Sequence, residues 1–293
     1  MLYLVDCSIY IFRAWQTHSP SIINTHGEQA NAVHGFTDTL AQILTDKQPE
    51  YMACAFDKSS GIGERNNIFP EYKANREPAP PELKVQFDRC MEVASAMGIP
   101  IFASTKVEAD DIIGSFAAVA HQSKQPVTII SADKDLAQFI GDDDIYWNLG
   151  RKEQFTYLQL TKRFKVFPEQ MADMLALCGD KVDNIPGIPG VGPTTAARLL
   201  RKWETLEGVI ANQAAVAKMH FRGAPRVASL IAEHIDTIRL ARQLTGLIHD
   251  DALPNSISEL KRQPVPTNIM IEKLQSAGVS EQRANRLALS INQ

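Results

Sequence analysis

The chain has 293 residues, 44% of them apolar, with 30 Lys and Arg against 34 Asp and Glu for a formal net charge of −4. This length predicts about two domains, and the apolar content predicts a sizeable core, which excludes disordered and fibrous classes. The mild acidity excludes a simple polycationic nucleic-acid coat, although net charge does not say where the charges sit.

Four cysteines, Cys7, Cys54, Cys90 and Cys178, form no C-x-x-C pair. That pattern speaks for reduced, buried thiols rather than a zinc or thioredoxin-type motif. The N-terminal MLYLVDCSIY has no basic segment and is interrupted by Asp6, so it reads as neither a signal peptide nor a membrane span. No apolar run approaches the ~20 residues of a spanning helix, and a cytoplasmic protein is expected.

Along the chain, Leu2 to Asp6 (LYLVD), Tyr51 to Asp57 (YMACAFD) and Val127 to Asp133 (VTIISAD) are short apolar runs that each end in an acid. Such runs read as buried strands. Between them, Ala32 to Leu44, Leu83 to Met97 and Asp110 to Ala120 carry helical periodicity. The alternation predicts an α/β domain with a parallel sheet and helices on both faces. Functional groups in such sheets gather at the carboxyl ends of the strands. Gly61 to Pro81, rich in Gly and Pro with Arg65, Lys73 and Arg76 interspersed, reads as a mobile segment or a small helical insert. Ile145 to Trp147 and Gln154 to Thr156 predict a hairpin at the sheet edge. Pro168 to Cys178 predicts a helix with Pro in its first turn. A smaller all-helical domain is expected from 176 to 293, and no internal repeat is evident.

The acids concentrate in EADD, SADKD and GDKVDN. The candidates are Asp6, Asp57, Glu108, Asp110, Asp111, Asp133, Asp135, Asp180 and Asp183. Any one cluster reads equally as helix caps and turns. Nine acids converging on one sheet edge would repel each other unless hard cations neutralise them. All-oxygen ligation points to Mg²⁺ or Mn²⁺ rather than zinc. Two such ions about 4 Å apart suit in-line attack on a phosphodiester. The seven histidines are scattered and form no competing cluster. Immediately after GDKVDN, the stretch GIPGVG (Gly187 to Gly192) precedes a helical TAARLL and reads as a helix-hairpin-helix. Gly190 and Gly192 allow a turn whose backbone N–H groups bind phosphate without regard to sequence. Arg198, Arg201, Lys202, Lys218, Arg222 and Arg226 follow, with only Glu204 and Glu207 among them. That balance suits a face that tracks a nucleic-acid backbone.

These residues lie in LVDCSIYIFRA, NAVHGF, AFDKSSGIGER, FPEYKANR, VEADD, ISADKDL and GDKVDNIPGIPGVGPTTAARLL. Together the motifs resemble the bacterial and phage 5′-nuclease, or flap endonuclease, family, which includes the N-terminal nuclease domain of DNA polymerase I. The resemblance runs from Leu4 to about residue 245, and with no polymerase module following, a stand-alone nuclease is expected. It implies a PIN-like (resolvase-like) nuclease domain, 1–175, with an arch segment at about 61–97. It implies a helical C-terminal domain, 176–293, with a helix-hairpin-helix at about 184–200.

By this resemblance, Asp6, Asp57, Glu108, Asp110 and Asp111 serve a first metal site directly or through waters. Asp133, Asp135, Asp180 and Asp183 serve a second. Lys73 and Arg76 match catalytic basic residues at the foot of the arch, where their positive charge acts, and Tyr72 matches an aromatic that can stack on an unpaired base. Arg13 and Arg65 are expected phosphate contacts. Gly187, Gly190, Gly192, Thr194 and Arg198 are expected DNA contacts at the hairpin. Thr194 stands where the family often has Lys, and Val182 where it usually has a small residue.

The implied activity is two-metal hydrolysis of DNA phosphodiesters, as 5′→3′ exonuclease and flap endonuclease in replication and repair. The implied ions are two Mg²⁺, with Mn²⁺ as an alternative, and in many members K⁺ under the hairpin. The implied partner of this monomer is DNA with 5′ flaps, 5′ overhangs or nicks, with no nucleotide cofactor and no membrane. The rivals are a metal-dependent RNase of the same fold, against which the hairpin and basic helical domain weigh, and a non-enzymatic DNA binder, whose signature would be missing acids. With the nine site acids set aside, 25 of the 34 acids remain against the 30 bases, so the −4 overlies a modestly basic body.

Overall fold

The computed structural model describes residues 1–58 and 63–292. The chain opens with β1 (Leu2–Asp6), α1 (Cys7–Thr17), α2 (Asn31–Lys47) and β2 (Tyr51–Asp57). Next come α3 (Glu64–Ile68), α4 (Pro81–Ala96), β3 (Ile101–Ser104), α5 (Ala109–Gln122) and β4 (Val127–Ile130). The hairpin β5 (Ile145–Asn148) and β6 (Glu153–Thr156) leads to α6 (Tyr157–Phe164) and α7 (Met171–Cys178). Then follow α8 (Pro193–Trp203), α9 (Leu206–Ala211), α10 (Gln213–Val216), α11 (Ala224–Glu233) and α12 (Ile235–Thr245), and last α13 (Thr267–Ser276) and α14 (Glu281–Ile291). No helix among the described residues is long and apolar enough to cross a membrane.

The sheet order is β3-β2-β1-β4-β5-β6, parallel except for β6, which returns antiparallel on β5. β1 sits between β2 and β4 and is apolar on both faces, as a strand covered by helices on both sides must be. One face packs under α1, α2 and α4, and the other under α5. The expected α/β architecture and edge hairpin are therefore present. β3 was not expected, and β4 ends at Ile130, three residues before Asp133.

Two expectations change. The segment 61–97 begins outside the described residues, at Gly61, and its second half is not arch. Pro81 starts α4, whose Leu83, Cys90 and Val93 are buried in the sheet core against α2. The helical core runs from Val166 to Leu244. Residues 176–293 therefore divide: after α12 the chain returns, with Leu260 packing on the α5 face and Met270, Leu274, Ala284 and Leu287 on the α2–α4 face. Tail helices packing back on the body follow from this burial.

A repeat that the sequence pattern hid is visible in the geometry. Gly190-Val191 before α8 and Gly278-Val279 before α14 each set a left-handed glycine, with φ of 80° and 91°, before a buried valine, although Val191 N bonds Ile188 O whereas Val279 N bonds Leu274 O. Ala196 and Ala284, six residues after each glycine, are both fully buried. The two copies differ in exposure. A Cβ on Gly190 would meet nothing within 4 Å, whereas one on Gly278 would meet Asn24 Cβ at 3.1 Å. Only the first hairpin presents its turn to solvent.

At the amino end of the sheet, buried Asp144 accepts from Val127 N and Gly141 N, both at 2.7 Å, and lies 2.6 Å from His121 Nε2. The bond to Asp144, against some burial, raises His121 above 6.5. Burial opposes the shift at Asp144, but the bond from His121 and those from the two amides hold it below 3.8. The histidine contribution is complete below 6.5 and is lost as pH rises through its raised value. The aspartate contribution is complete above 3.8 and is lost as pH falls. The His121→Gln penalty should therefore be largest between those values and shrink toward pH 8. It should reach at most about 1 kcal/mol, because the imidazole is partly exposed. Urea unfolding of both proteins across pH 4–8 measures it, and a pH-independent penalty would contradict the pairing.

Candidate metal centre

Sheet order explains why acids distant in sequence meet. Asp6 ends β1 and Asp57 ends the neighbouring β2. Asp133 and Asp135 follow β4 on the other side of β1. Glu108 is the N-cap of α5, with Asp110 and Asp111 in its first turn, where carboxylates complement the helix dipole. Asp180 and Asp183 lie in the loop after α7, closed by a bridge between Asp180 and Ile185.

The acids fall into three electrostatic settings. Asp6, Asp57, Asp110 and Asp133 have no Lys or Arg in ion-pair contact among the described residues. Burial first, then Asp57 and Asp133, push Asp6 up to about 7, although Ser131 Oγ donates to it at 2.7 Å. Burial, then Asp133 and Asp6, push Asp110 well above the usual carboxylate range. Asp57 Oδ1 accepts from Ala109 N at 2.8 Å, which ties β2 to α5.

In the second setting, Lys134 Nζ bonds Asp180 Oδ2 at 2.8 Å and lies 3.1 Å from Asp135 Oδ1. Burial opposes the shift, yet Lys134 holds Asp180 below 3.8. Burial and Asp133 push Asp135 up to about 7, with Lys134 opposing the shift. In the third setting, Lys73 Nζ bonds Glu108 Oε1 at 2.7 Å and Arg76 pairs with Asp183. Burial is again outweighed, and Lys73 with Arg65 holds Glu108 below 4.5. The foot of the arch is fixed to the acidic loop by Lys73 N on Asp183 O (3.0 Å), Asn75 on Lys181 O (2.9 Å) and Asn184 on Glu71 O (2.7 Å).

Among the described residues no three His, Cys, Asp or Glu side chains are already gathered to hold an ion. Lys73, Arg76 and Lys134 pair with four of the acids. The donor set nevertheless fits hard divalent cations. It is all carboxylate, and four of its members, Asp6, Asp57, Asp110 and Asp133, repel each other with no ion-pair partner among the described residues. A cavity of about 370 Å³ is lined by Asp133, Asp135, Asp180 and Asp183 together with Lys134, Arg151 and Arg163.

Several expected residues are not where an exposed contact would be. Arg65 is buried and forks onto Asp111 at 2.5 and 2.8 Å, and it also donates to Leu244 O and Gly246 O. Asp111 accepts further from Glu108 N and Ile248 N. The pair is a structural clasp: Arg65 has no face for a phosphate, and Asp111 has no free oxygen for an ion. Tyr72 is also buried, its hydroxyl donating to Glu108 Oε2 at 2.9 Å, so its ring is closed to a stacking base. Arg13 is exposed but donates to Gly150 O at 3.0 Å, and its guanidinium lies so close that a Cβ on Gly150 would meet it at 2.5 Å.

Gly187 is a packing glycine, since a Cβ there would overlap the backbone of Cys178 and Gly179. Gly192, the N-cap of α8, has open space, and Thr194 and Arg198 are exposed on α8. Gly187→Ala should therefore cost about 1–3 kcal/mol by overpacking beside Asp180, whereas Gly192→Ala should cost less, about 0.5–1 kcal/mol, through the poorer N-cap alone. Urea unfolding compares them, and equal effects would contradict the packing. Sequence reasoning missed Lys134, although a Lys between two Asp in SADKD was its signal. It also missed Ser131, which links Asp6 to Asp133 through its hydroxyl.

A carboxylate cluster at the carboxyl edge of a parallel sheet, footed by a basic segment and flanked by an open helix-hairpin-helix, defines an α/β protein with a candidate metal centre and a helical companion domain. The chain belongs to the 5′-3′ exonuclease family. Residues 1–166 match its N-terminal resolvase-like domain and residues 166–268 its C-terminal SAM fold. It is 33% identical over 274 residues to a 5′-3′ exonuclease of Aquifex aeolicus, covering 94% of this chain and 91% of that one. It is 34% identical over 267 residues to DNA polymerase I of Bacillus caldotenax, covering 89% of this chain but 29% of the polymerase. The chain thus spans under a third of the length of such polymerases. Among solved structures, T5 5′-exonuclease with bound zinc superposes with a TM-score of 0.66 at 17% identity, covering 99% of this chain and 98% of that one. The catalytic core of Rad2 with DNA gives 0.64 at 13%, covering 99% and 91%. These two likenesses show the shared fold.

Proposed function

We propose that the chain is a structure-specific 5′-nuclease, hydrolysing DNA phosphodiesters as a 5′→3′ exonuclease and 5′-flap endonuclease in replication and repair. One observation carries the reading: Asp6, Asp57, Asp110 and Asp133 converge with no ion pair among the described residues, Lys73 offsets only part of the charge at Asp110, and added positive charge relieves the rest. Family membership and the metal and DNA named for its structural neighbours support it. Two divalent ions, Mg²⁺ or Mn²⁺, would supply activation of the attacking water and stabilisation of the leaving 3′-oxygen. Asp6, Asp57, Asp110 and Asp133, with Glu108, Asp135, Asp180 and Asp183, would hold them. Lys73 and Arg76, released from Glu108 and Asp183, offset charge on the phosphoryl oxygens. The open turn at Gly190 to Gly192 grips the duplex backbone through its N–H groups, with K⁺ under the hairpin as a further ion. The substrates are DNA with 5′ flaps, overhangs or nicks, and the active form is a monomer in the cytoplasm.

The test is cleavage of a labelled 5′-flap duplex beside single-stranded RNA in Mg²⁺, with product sizes resolved. Cleavage near the flap junction, with the RNA spared, is expected. RNA cleavage alone would favour the RNase reading, and binding without cleavage a structural role.

A further inference from the structure

Of the bases that the metal centre and hairpin leave unused, Lys162 and Lys165 are the most pointed. They lie at the end of α6, and with Arg201 of α8 they line a second cavity of about 500 Å³ floored by Val166 and Phe167. All three are exposed, and none is in an ion pair among the described residues. The groove is rigid at its base. Gln170, buried, donates to Leu200 O at 3.3 Å and Glu204 O at 2.7 Å, and its Oε1 accepts from Phe167 N at 3.0 Å. This fastens the chain after α6 to the last turn of α8. α8 runs from the hairpin to this groove. Thr194, Arg198 and Arg201 are spaced i, i+4 and i+7, which puts them on one face of α8.

We propose that this groove is a second contact for the backbone of the duplex that the hairpin grips, so that duplex is followed from Gly192 down α8 to Lys162 and Lys165. The inference rests on the DNA reading above. Charge complementarity selects the occupant: a continuous basic face without acidic partners, starting at an open phosphate-binding turn, suits a polyanion of regular spacing. The eleven residues of α8 extend about 16 Å, or about five nucleotide steps along one strand. Recognition is of phosphate, without regard to sequence.

The experiment is equilibrium binding of fluorescent flap DNA to the full chain in Ca²⁺ across 50–300 mM KCl. It compares wild type with the Lys162→Gln, Lys165→Gln, Arg201→Gln triple variant, each on a long duplex arm and on one shortened by five base pairs. On the long arm the slope of log affinity against log salt should fall by about 2–3 in the variant, close to 0.9 for each lost contact. Shortening the arm should lower the wild-type slope similarly and leave the variant unchanged. Equal slopes on the long arm, or equal sensitivity to shortening, would overturn the groove and leave these bases as complements to two helix ends. Wild-type cleavage of the same DNA in Mg²⁺ keeps the two readings apart. Its absence would count against the nuclease assignment, whereas cleavage with unaltered slopes would count against the groove alone.

Discussion

Asp110→Asn should stabilise the metal-free protein while abolishing its activity. Asp110 lies among Asp133, Asp6 and Asp57, burial and those neighbours disfavour its charge more than nearby Lys73 favours it, and among the described residues nothing donates to its carboxylate. Removing that charge relieves like-charge repulsion without breaking a bond. A gain of about 1 kcal/mol is expected with chelator present, or about 1–2 °C in Tm for a chain of this length. In Mg²⁺ the same change removes a proposed metal ligand, and if Asp110 holds an ion the loss of several kcal/mol of transition-state stabilisation should lower cleavage at least about a thousandfold. Thermal melts in EDTA and single-turnover cleavage in Mg²⁺ read the two effects separately. Opposite signs are what an uncompensated metal-binding acid predicts. A variant that melts lower in EDTA, or that cleaves at the wild-type rate, would remove Asp110 from the site.

Arg65→Ala should be the most destabilising single change in the nuclease domain outside its apolar core. The guanidinium joins three parts of the chain: α3 at the foot of the arch, the first turn of α5 through Asp111, and the end of α12 through Leu244 O and Gly246 O. Its loss strands Asp111 as a buried, uncompensated charge and leaves both carbonyls short of a donor. Breaking such a pair costs about 3–5 kcal/mol. Arg65→Lys keeps the charge but not the fork, so it should recover only part of that loss. Urea unfolding measures both variants. A role as an exposed phosphate contact predicts the reverse pattern, with unchanged stability and weakened DNA binding, and that outcome would refute the clasp.

The contrast between these residues shows what the sequence exposes and what it hides. Asp6 and Asp57 were legible because each ends an apolar run short enough to be only a buried parallel strand, and chain direction then puts both acids at one edge. The hairpin was legible because only glycine takes the turn at Gly190 without strain. Arg65 and Asp111 were misread because the partner of a side chain is not local. They lie 46 positions apart in sequence, and nothing in either motif says that each saturates the other. Tyr72 reads as an arch aromatic until burial under the helical domain becomes visible. β3 has four residues, all only partly buried, and its composition carries no strand signal strong enough to compete with neighbouring helices. The second hairpin escaped notice because Ser280 replaces the second glycine, and its burial against Asn24 depends on tertiary structure alone.

The central claim is that the converging acids are a two-ion site and that those ions switch on cleavage. Its most direct test is Mn²⁺ titration of the full chain by calorimetry, with flap-DNA cleavage measured on the same samples. Two ions per chain are expected, with cleavage rising as the second binds and vanishing in excess chelator. Cleavage that persists in chelator, or a chain that binds no Mn²⁺ at concentrations supporting cleavage, would contradict it.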